Sequence, residues 1–160
     1  SPLRRHSCVP APPSLLPATP GITTNLVLLK AARAANPTAR ILYKPHPDVE
    51  AGLRKGQISR EDAEALADMV LDQADMAALL KEVEEVWTMT SLTGFEALLH
   101  GCKVTTLGAP FYAGWGLTDD RGDIPARRTA QPSLEGLVHA ALIDYPRYRD
   151  PVSGPSLIHN

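Results

Sequence analysis

An open parallel α/β sheet with flanking helices is the architecture that this 160-residue sequence predicts. Short apolar runs such as Ile41-Leu42-Tyr43 and Val104 to Leu107 have the length of strands and end at proline, glycine or polar turns. Segments with apolar residues three and four apart lie between them, and that alternation is the signature of strands joined by crossover helices. With 44% hydrophobic and 21% charged residues, the composition is that of one globular domain with a sizeable core.

Taken in order, Ser1 to Pro20 comes first and differs from the rest. It holds six prolines and the Arg4-Arg5 pair, without strand alternation or helical period. Proline removes a backbone donor and turns its predecessor away from helix, so residues 1–20 are expected to be an irregular, disordered leader. The segment lacks the continuous apolar stretch of a secretory signal. The domain proper is expected over residues 21–150, with 151–160 as a tail. Thr23 or Thr24 is placed to cap a helix over Asn25 to Ala35, ended by Asn36-Pro37. Arg40 to Lys44 reads as a strand stopped by Pro45 and Pro47. A polar loop follows from Asp48 to Arg60, and then a helical turn over Glu61 to Ala67. Beyond it the sequence predicts strands at Met69 to Leu71, Glu85 to Met89 and Val104 to Leu107. Helices are predicted at Asp75 to Lys81, Gly94 to His100 and Ser133 to Ile143. Gly101 stands where a helix end favours a left-handed residue.

Sixteen basic and eighteen acidic side chains leave a net charge of −2, which argues against nucleic acid as a partner. There is no apolar run of the roughly 18 residues that a membrane span needs. Cys8 and Cys102 are far apart, and no histidine pairs with another His or a Cys at zinc-site spacing; neither a metal nor a cofactor is expected.

In parallel α/β sheets ligands bind outside the carboxyl ends of the strands, and two such ends here carry unusual chemistry. The first is Tyr43-Lys44-Pro45-His46-Pro47-Asp48. Two prolines hold the backbone around His46 extended and Lys44 adds a positive charge, a combination suited to a phosphate or carboxylate. The same residues also fit a turn whose His bonds a neighbouring carbonyl. The second is Trp87-Thr88-Met89-Thr90-Ser91-Leu92-Thr93-Gly94-Phe95-Glu96, where a strand feeds a helix through a hydroxyl-rich turn. A helix N-terminus offers unpaired N–H groups to an anion, Ser91 and Thr93 can add hydrogen bonds, and Gly94 would admit a ligand close to the backbone. Thr93 and Glu96 also have the spacing of a capping box, which would satisfy the helix end without any ligand. Both readings hold together if Thr93 caps while Ser91 binds.

A third stretch, Gly108 to Asp120, gathers Phe111, Tyr112 and Trp115 with three glycines. It suits a sugar or base platform at Gly114 and Trp115, or a loop folding its aromatics onto the core. Asp119, Asp120 and Asp123 read as catalytic carboxylates or as an acidic solvated loop. Arg121, Arg127 and Arg128 read as anion contacts or surface charge.

Tyr43-Lys44-Pro45-His46-Pro47-Asp48-Val49, Thr90-Ser91-Leu92-Thr93-Gly94-Phe95-Glu96-Ala97-Leu98 and Gly108-Ala109-Pro110-Phe111-Tyr112-Ala113-Gly114-Trp115-Gly116-Leu117-Thr118-Asp119-Asp120 occur in this order. Together they resemble the capsular polysaccharide β-Kdo transferases of the KpsC/LipB type, Kdo being 3-deoxy-D-manno-oct-2-ulosonic acid. The resemblance runs from about Thr24 to about Tyr148. It implies one half, the nucleotide-binding domain, of a GT-B glycosyltransferase, in which two Rossmann-like domains face each other across a cleft. The implied donor substrate is CMP-Kdo and the implied partner a lipid-linked glycan acceptor, with the full-length protein cytoplasmic at the inner face of the membrane. His46-Pro47 and Thr90-Ser91 correspond to the family's groups for cytidine monophosphate, and Glu96 would reach the ribose hydroxyls. The implied substrate-binding set is Lys44, His46, Pro47, Thr90, Ser91, Thr93, Glu96, Gly114 and Trp115, with no catalytic residue in this half.

Two departures shape the expectation. The family's opposing N-terminal domain, which holds the acidic group acting at the donor, is not in this sequence; the partner expected for this half is that N-terminal GT-B domain, or a second copy by self-association. Ser1 to Thr19 also lacks the glycine- and acid-containing strand expected before Gly21 and looks like a foreign leader, which would leave the sheet one strand short. The chain is therefore expected to be inactive alone. The alternatives are a non-catalytic nucleotide-binding module or remnant, and a dinucleotide-dependent enzyme, the latter disfavoured because no Gly-x-Gly-x-x-Gly follows a strand.

Overall fold

The computed structural model describes residues 6–10, 24–45, 58–146, 149–150 and 154–155. Along the chain these form β1 (His6–Pro10), α1 (Thr24–Ala35), β2 (Arg40–Lys44), α2 (Arg60–Leu66), β3 (Met69–Val70), α3 (Met76–Leu79), β4 (Glu85–Thr88), α4 (Leu92–Leu99), β5 (Lys103–Thr106) and β6 (Asp119–Asp120). After these come α5 (Leu134–His139), which runs on into a π-helical turn at Ala140–Asp144, and the short strands β7 (Arg149–Asp150) and β8 (Gly154–Pro155). Six strands form one sheet in the order β3-β2-β1-β4-β5-β6, and every pairing in it is parallel. The expected open parallel α/β sheet is thus present.

The leader is where the expectation fails. His6–Pro10 is the central strand of the sheet, paired with β2 from His6↔Arg40 to Pro10↔Lys44 and with β4 at Ser7↔Glu85 and Cys8↔Val86. The physical reason is that no proline interrupts the run before Pro10, which ends the strand, so the backbone can bond on both sides. No strand is missing between β2 and β4. At the other end, part of the expected tail pairs back, Gly154–Pro155 lying antiparallel to Arg149–Asp150. The polar loop expected from Asp48 lies mostly outside the described residues.

Alternation along the strands sends side chains to two cores. Ile41, Tyr43 and Trp87 join Leu28, Leu29 and Ala32 of α1 and Ala63 of α2 in one cluster. Leu42, Val86 and Val104 join Phe95, Ala97 and Leu98 of α4 and Leu137 of α5 in the other. Leu28 and Leu29 are fully buried, each contributing roughly 1.5–3 kcal/mol. Burial of Tyr43 pushes its phenol up to about 12, since the charged form would lose its water.

Helix boundaries follow side-chain caps. Ser59 accepts from the Asp62 N–H at 3.0 Å, Asp75 from Ala77 at 3.0 Å and Ser133 from Gly136 at 3.1 Å. Gly101, just past the end of α4, has φ of +78°, as a left-handed helix stop requires. At the amino-terminal edge of the sheet Arg33 joins three elements. It donates to the carbonyls of Leu66 and Ala39, both at 2.9 Å, and to the Asp68 carboxylate at 2.6 Å. The Asp68 carboxylate also accepts the Ile41 N–H at 2.8 Å.

That Ile41 hydrogen bond, with Arg33 assisting, holds the Asp68 carboxyl below its ordinary value of 3.8. A carboxyl with a depressed folded pKa stabilises fully above its unfolded value and loses that contribution as pH falls through the folded one. Thermal melts of Asp68→Asn should therefore show lower stability at neutral pH and a shallower decline below pH 3.8 than the wild type. The size is limited, because the Asp68 side chain is 46% exposed.

Candidate functional site

The strand order reverses direction between β1 and β4, since the chain builds β1, β2 and β3 outward one way and β4, β5 and β6 outward the other. A crevice opens at the carboxyl ends of the strands at such a switch point, and ligands of parallel α/β sheets bind there. Among the described residues, Lys44 and the Thr90–Ser91 turn fall on either side of it. Lys44 ends β2, and register aligns it with Pro10 of β1. Thr90 and Ser91 follow β4 after Met89. Two strand spacings separate the ends of β2 and β4, roughly 10 Å, a span that a nucleoside monophosphate can bridge. His46 and Pro47 lie outside the described residues.

The turn after β4 is built on Ser91. It has extended backbone (φ −67°, ψ 144°) and is the N-cap of α4, its Oγ accepting the Thr93 N–H at 3.2 Å. The Ser91 and Thr93 hydroxyls share a hydrogen bond at 3.2 Å. Ser91 donates its own N–H to Thr88 Oγ1 at 3.2 Å, and its carbonyl accepts the Gly94 N–H at 3.1 Å. Two sequence expectations are corrected here. Thr93 lies inside the first turn and does not cap, because Ser91 already occupies that role. The third helical position after Ser91 is Gly94, so no capping box forms and Glu96 has no cap to complete. Glu96 is exposed and faces a surface groove with Met76, Ala77, Leu80, Leu99 and His100, between α3 and α4.

Gly94 also has a reason other than ligand access. A Cβ there would sit against the Tyr112 hydroxyl, 2.7 Å from Tyr112 Cζ and 2.9 Å from Thr88 Cγ2. Tyr112 is fully buried, stacked beside Phe95 and edge-on to Phe111, and its hydroxyl donates to the Ser91 carbonyl. Burial raises the phenol pKa far enough that it stays a proton donor.

The Gly108 to Asp120 loop is organised from within. The Asp120 carboxylate accepts the Thr106 hydroxyl at 3.0 Å, the Thr118 hydroxyl at 2.6 Å and the Gly114 N–H at 2.8 Å. On the far side the Arg128 guanidinium donates to the carbonyls of Pro110 at 2.6 Å and Ala113 at 2.7 Å. Gly114 has φ of +83°, and a Cβ there would collide with Ile124 Cγ2, which accounts for this glycine within the chain. Trp115 is half-buried against the α4 core, donates its indole N–H to the Phe111 carbonyl at 2.6 Å and has the Arg128 guanidinium over its ring at 5.6 Å. Of the two readings of this loop, the aromatic residues folding back on the core is the one that the contacts match. Asp120 and Arg128 are internal ties, neither solvated charge nor, in these contacts, ligand groups. Asp119 pairs with Arg121 at 3.2 Å, and the Arg121 guanidinium lies 4.4 Å over the buried Trp87 ring.

The sequence reading did not single out Tyr112, Thr88 or the Asp120 carboxylate as ties between strand ends. The only local signal was Thr118 two residues before Asp120, a spacing at which a hydroxyl can reach a carboxylate. Gly94→Ala should cost about 1–3 kcal/mol in denaturant unfolding, although alanine is otherwise the better helix former, because Tyr112 cannot move aside. Asp120→Ala leaves three donors without their acceptor. It should cost about 2–3 kcal/mol and open residues 109–118 to limited proteolysis while the far-ultraviolet circular dichroism stays native.

Comparison with known proteins agrees with the parallel α/β fold. The chain is 53% identical over 133 residues to the capsule polysaccharide modification protein LipA of Neisseria meningitidis serogroup B, covering 83% of this chain and 19% of LipA. It is 48% identical over 125 residues to the lipopolysaccharide-processing protein LpsZ of Rhizobium meliloti, covering 78% and 28% respectively. Among solved structures, the β-Kdo 2,7-transferase of Thermosulfurimonas dismutans KpsC superposes with a TM-score of 0.76 at 37% identity, over 95% of this chain and 49% of that one. The β-Kdo 2,4-transferase of the same KpsC gives 0.70 at 30% identity, over 98% and 50%. The chain therefore spans about half of each KpsC transferase chain and a smaller share of LipA and LpsZ. The profile of the capsule polysaccharide biosynthesis proteins matches residues 20–148, and the chain belongs to that family.

Proposed function

We propose that this chain is the donor-binding domain of a glycosyltransferase that moves Kdo from CMP-Kdo to a lipid-linked glycan acceptor in capsule polysaccharide biosynthesis. The observation that carries the reading is the placement of Lys44 and the Thr90–Ser91 turn on the two sides of β1, at the carboxyl edge where the strand order reverses. That the solved relatives are Kdo transferases supports the choice of sugar.

The chemistry asked of this half is electrostatic. When the bond between Kdo and the phosphate breaks, negative charge gathers on the departing CMP. The N-terminal dipole of α4, the Ser91 hydroxyl and the Lys44 ammonium oppose that charge, and His46 would add to them. A leaving group stabilised in this way needs no nucleophile from this domain. The group that activates the acceptor would come from an opposing domain or a second chain, so the isolated chain binds donor without turnover. No helix among the described residues is long and apolar enough to cross a membrane. With a lipid-linked acceptor, the full-length protein is read as cytoplasmic and peripheral to the inner face of the membrane, as its family resemblance implies.

Calorimetric titration with CMP, with UMP and AMP as controls, tests the reading. The expected outcome is selective CMP binding, weakened about tenfold or more in Ser91→Ala and in His46→Ala, as when a hydrogen bond to a charged ligand is lost. Absence of CMP binding by the folded chain, or Kdo transfer by the chain alone that His46→Ala abolishes, would count against it.

A further inference from the structure

We propose that Tyr112 is a positioning residue that joins the nucleotide turn after β4 and the Gly108 to Asp120 loop into one body, so that a ligand at the turn is felt in the loop. The inference rests on the reading above that the Thr90–Ser91 turn takes the nucleotide phosphate. Its ground is how Ser91 is held. Ser91 makes hydrogen bonds to Thr88, Thr93 and Gly94, all near it in sequence, and its carbonyl receives one long-range bond, from the Tyr112 hydroxyl. The ring that delivers this bond is fully buried and fills the space that the missing Cβ of Gly94 leaves open, so it cannot shift without the first turn of α4 shifting with it.

The other end of the link is equally fixed. Tyr112 lies in the segment whose Pro110 and Ala113 carbonyls are bound by Arg128, followed by Gly114, whose N–H is bound by Asp120. Asp120 reaches through Thr106 to the end of β5, and the Gly108 N–H bonds the Met89 carbonyl at 3.2 Å in the turn itself. The loop and the turn are thus tied at two places, and only the Tyr112 tie reaches the N-cap residue. A site that holds its ligand through an N-cap hydroxyl and a helix N-terminus depends on such support, since a shift of about half an ångström in the supporting shell is enough to spoil such a site.

Tyr112→Phe in the full chain removes the hydroxyl and keeps the ring. CMP affinity should fall about tenfold, as for a lost buried hydrogen bond that positions the site. Ile41→Val, in the other core, should lower the melting temperature without changing CMP affinity. Hydrogen exchange gives a readout that mere destabilisation would not move. CMP should slow exchange over both 90–96 and 109–116 in the wild type, but over 90–96 alone in Tyr112→Phe. Unchanged CMP affinity in Tyr112→Phe, or loop protection surviving in it, overturns the proposal while leaving the donor site standing. No slowing over 109–116 in the wild type overturns it even if the variant does not fold, and a wild-type chain that binds no CMP overturns both readings together.

Discussion

A parallel sheet depends on every inner strand finding backbone partners on both sides, and here β2 and β4 find their inner partner in His6–Pro10. Without those five residues the inner edges of two buried strands would present unpaired N–H and C=O groups to an apolar interior, at a cost that no side-chain contact nearby could offset. The same five residues create the switch point, because β1 is where the chain leaves one half of the sheet and where β4 begins the other. The two-sided core and the placing of Lys44 and the Ser91 turn on the two sides of β1 both follow from that insertion.

The carboxyl edge adds a second constraint, the satisfaction of polar groups beside a hydrophobic core. Thr88, Thr105 and Thr106 are fully or almost fully buried, and their hydroxyls serve Ser91, Glu85 and Asp120. Each buried hydroxyl thereby becomes a tie between a strand and the loop or strand beside it. These ties are buried or part-buried, where a hydrogen bond is electrostatically stronger than in water.

Legibility from sequence tracked how local the cause was. The strands Arg40–Lys44, Glu85–Thr88 and Lys103–Thr106 were visible because burial on both faces makes them apolar runs, and the helices because their period is local. His6–Pro10 was not visible: its Ser, Cys and Pro content has no strand signature, and only the open slot between β2 and β4 gives it a place. Asp119–Asp120 escaped for a related reason, being a two-residue edge strand of acidic residues whose role is set by Thr106 across the ladder. In the site, the edge and the turn were legible, but which hydroxyl caps the helix was not. Ser91 and Thr93 look alike in sequence, and a tyrosine far along the chain meets Gly94 at the point that distinguishes them. Gly114 and Trp115 drew notice for their composition, while their contacts are explained by Asp120, Ile124, Phe111 and Arg128.

The pairing of Ser7 with Glu85 also bears on how the chain reaches its native state. Contacts between residues so distant in sequence are slow to form, because a long segment must lose its freedom before the first bond rewards it. During synthesis β1 emerges well before β4 exists, so its second edge has to wait, and β2 can dock on one side of it only. The seam between β1 and β4 spans a longer stretch of chain than any other pairing in this sheet. A slow step in refolding should accordingly belong to that seam, where the two halves of the sheet join.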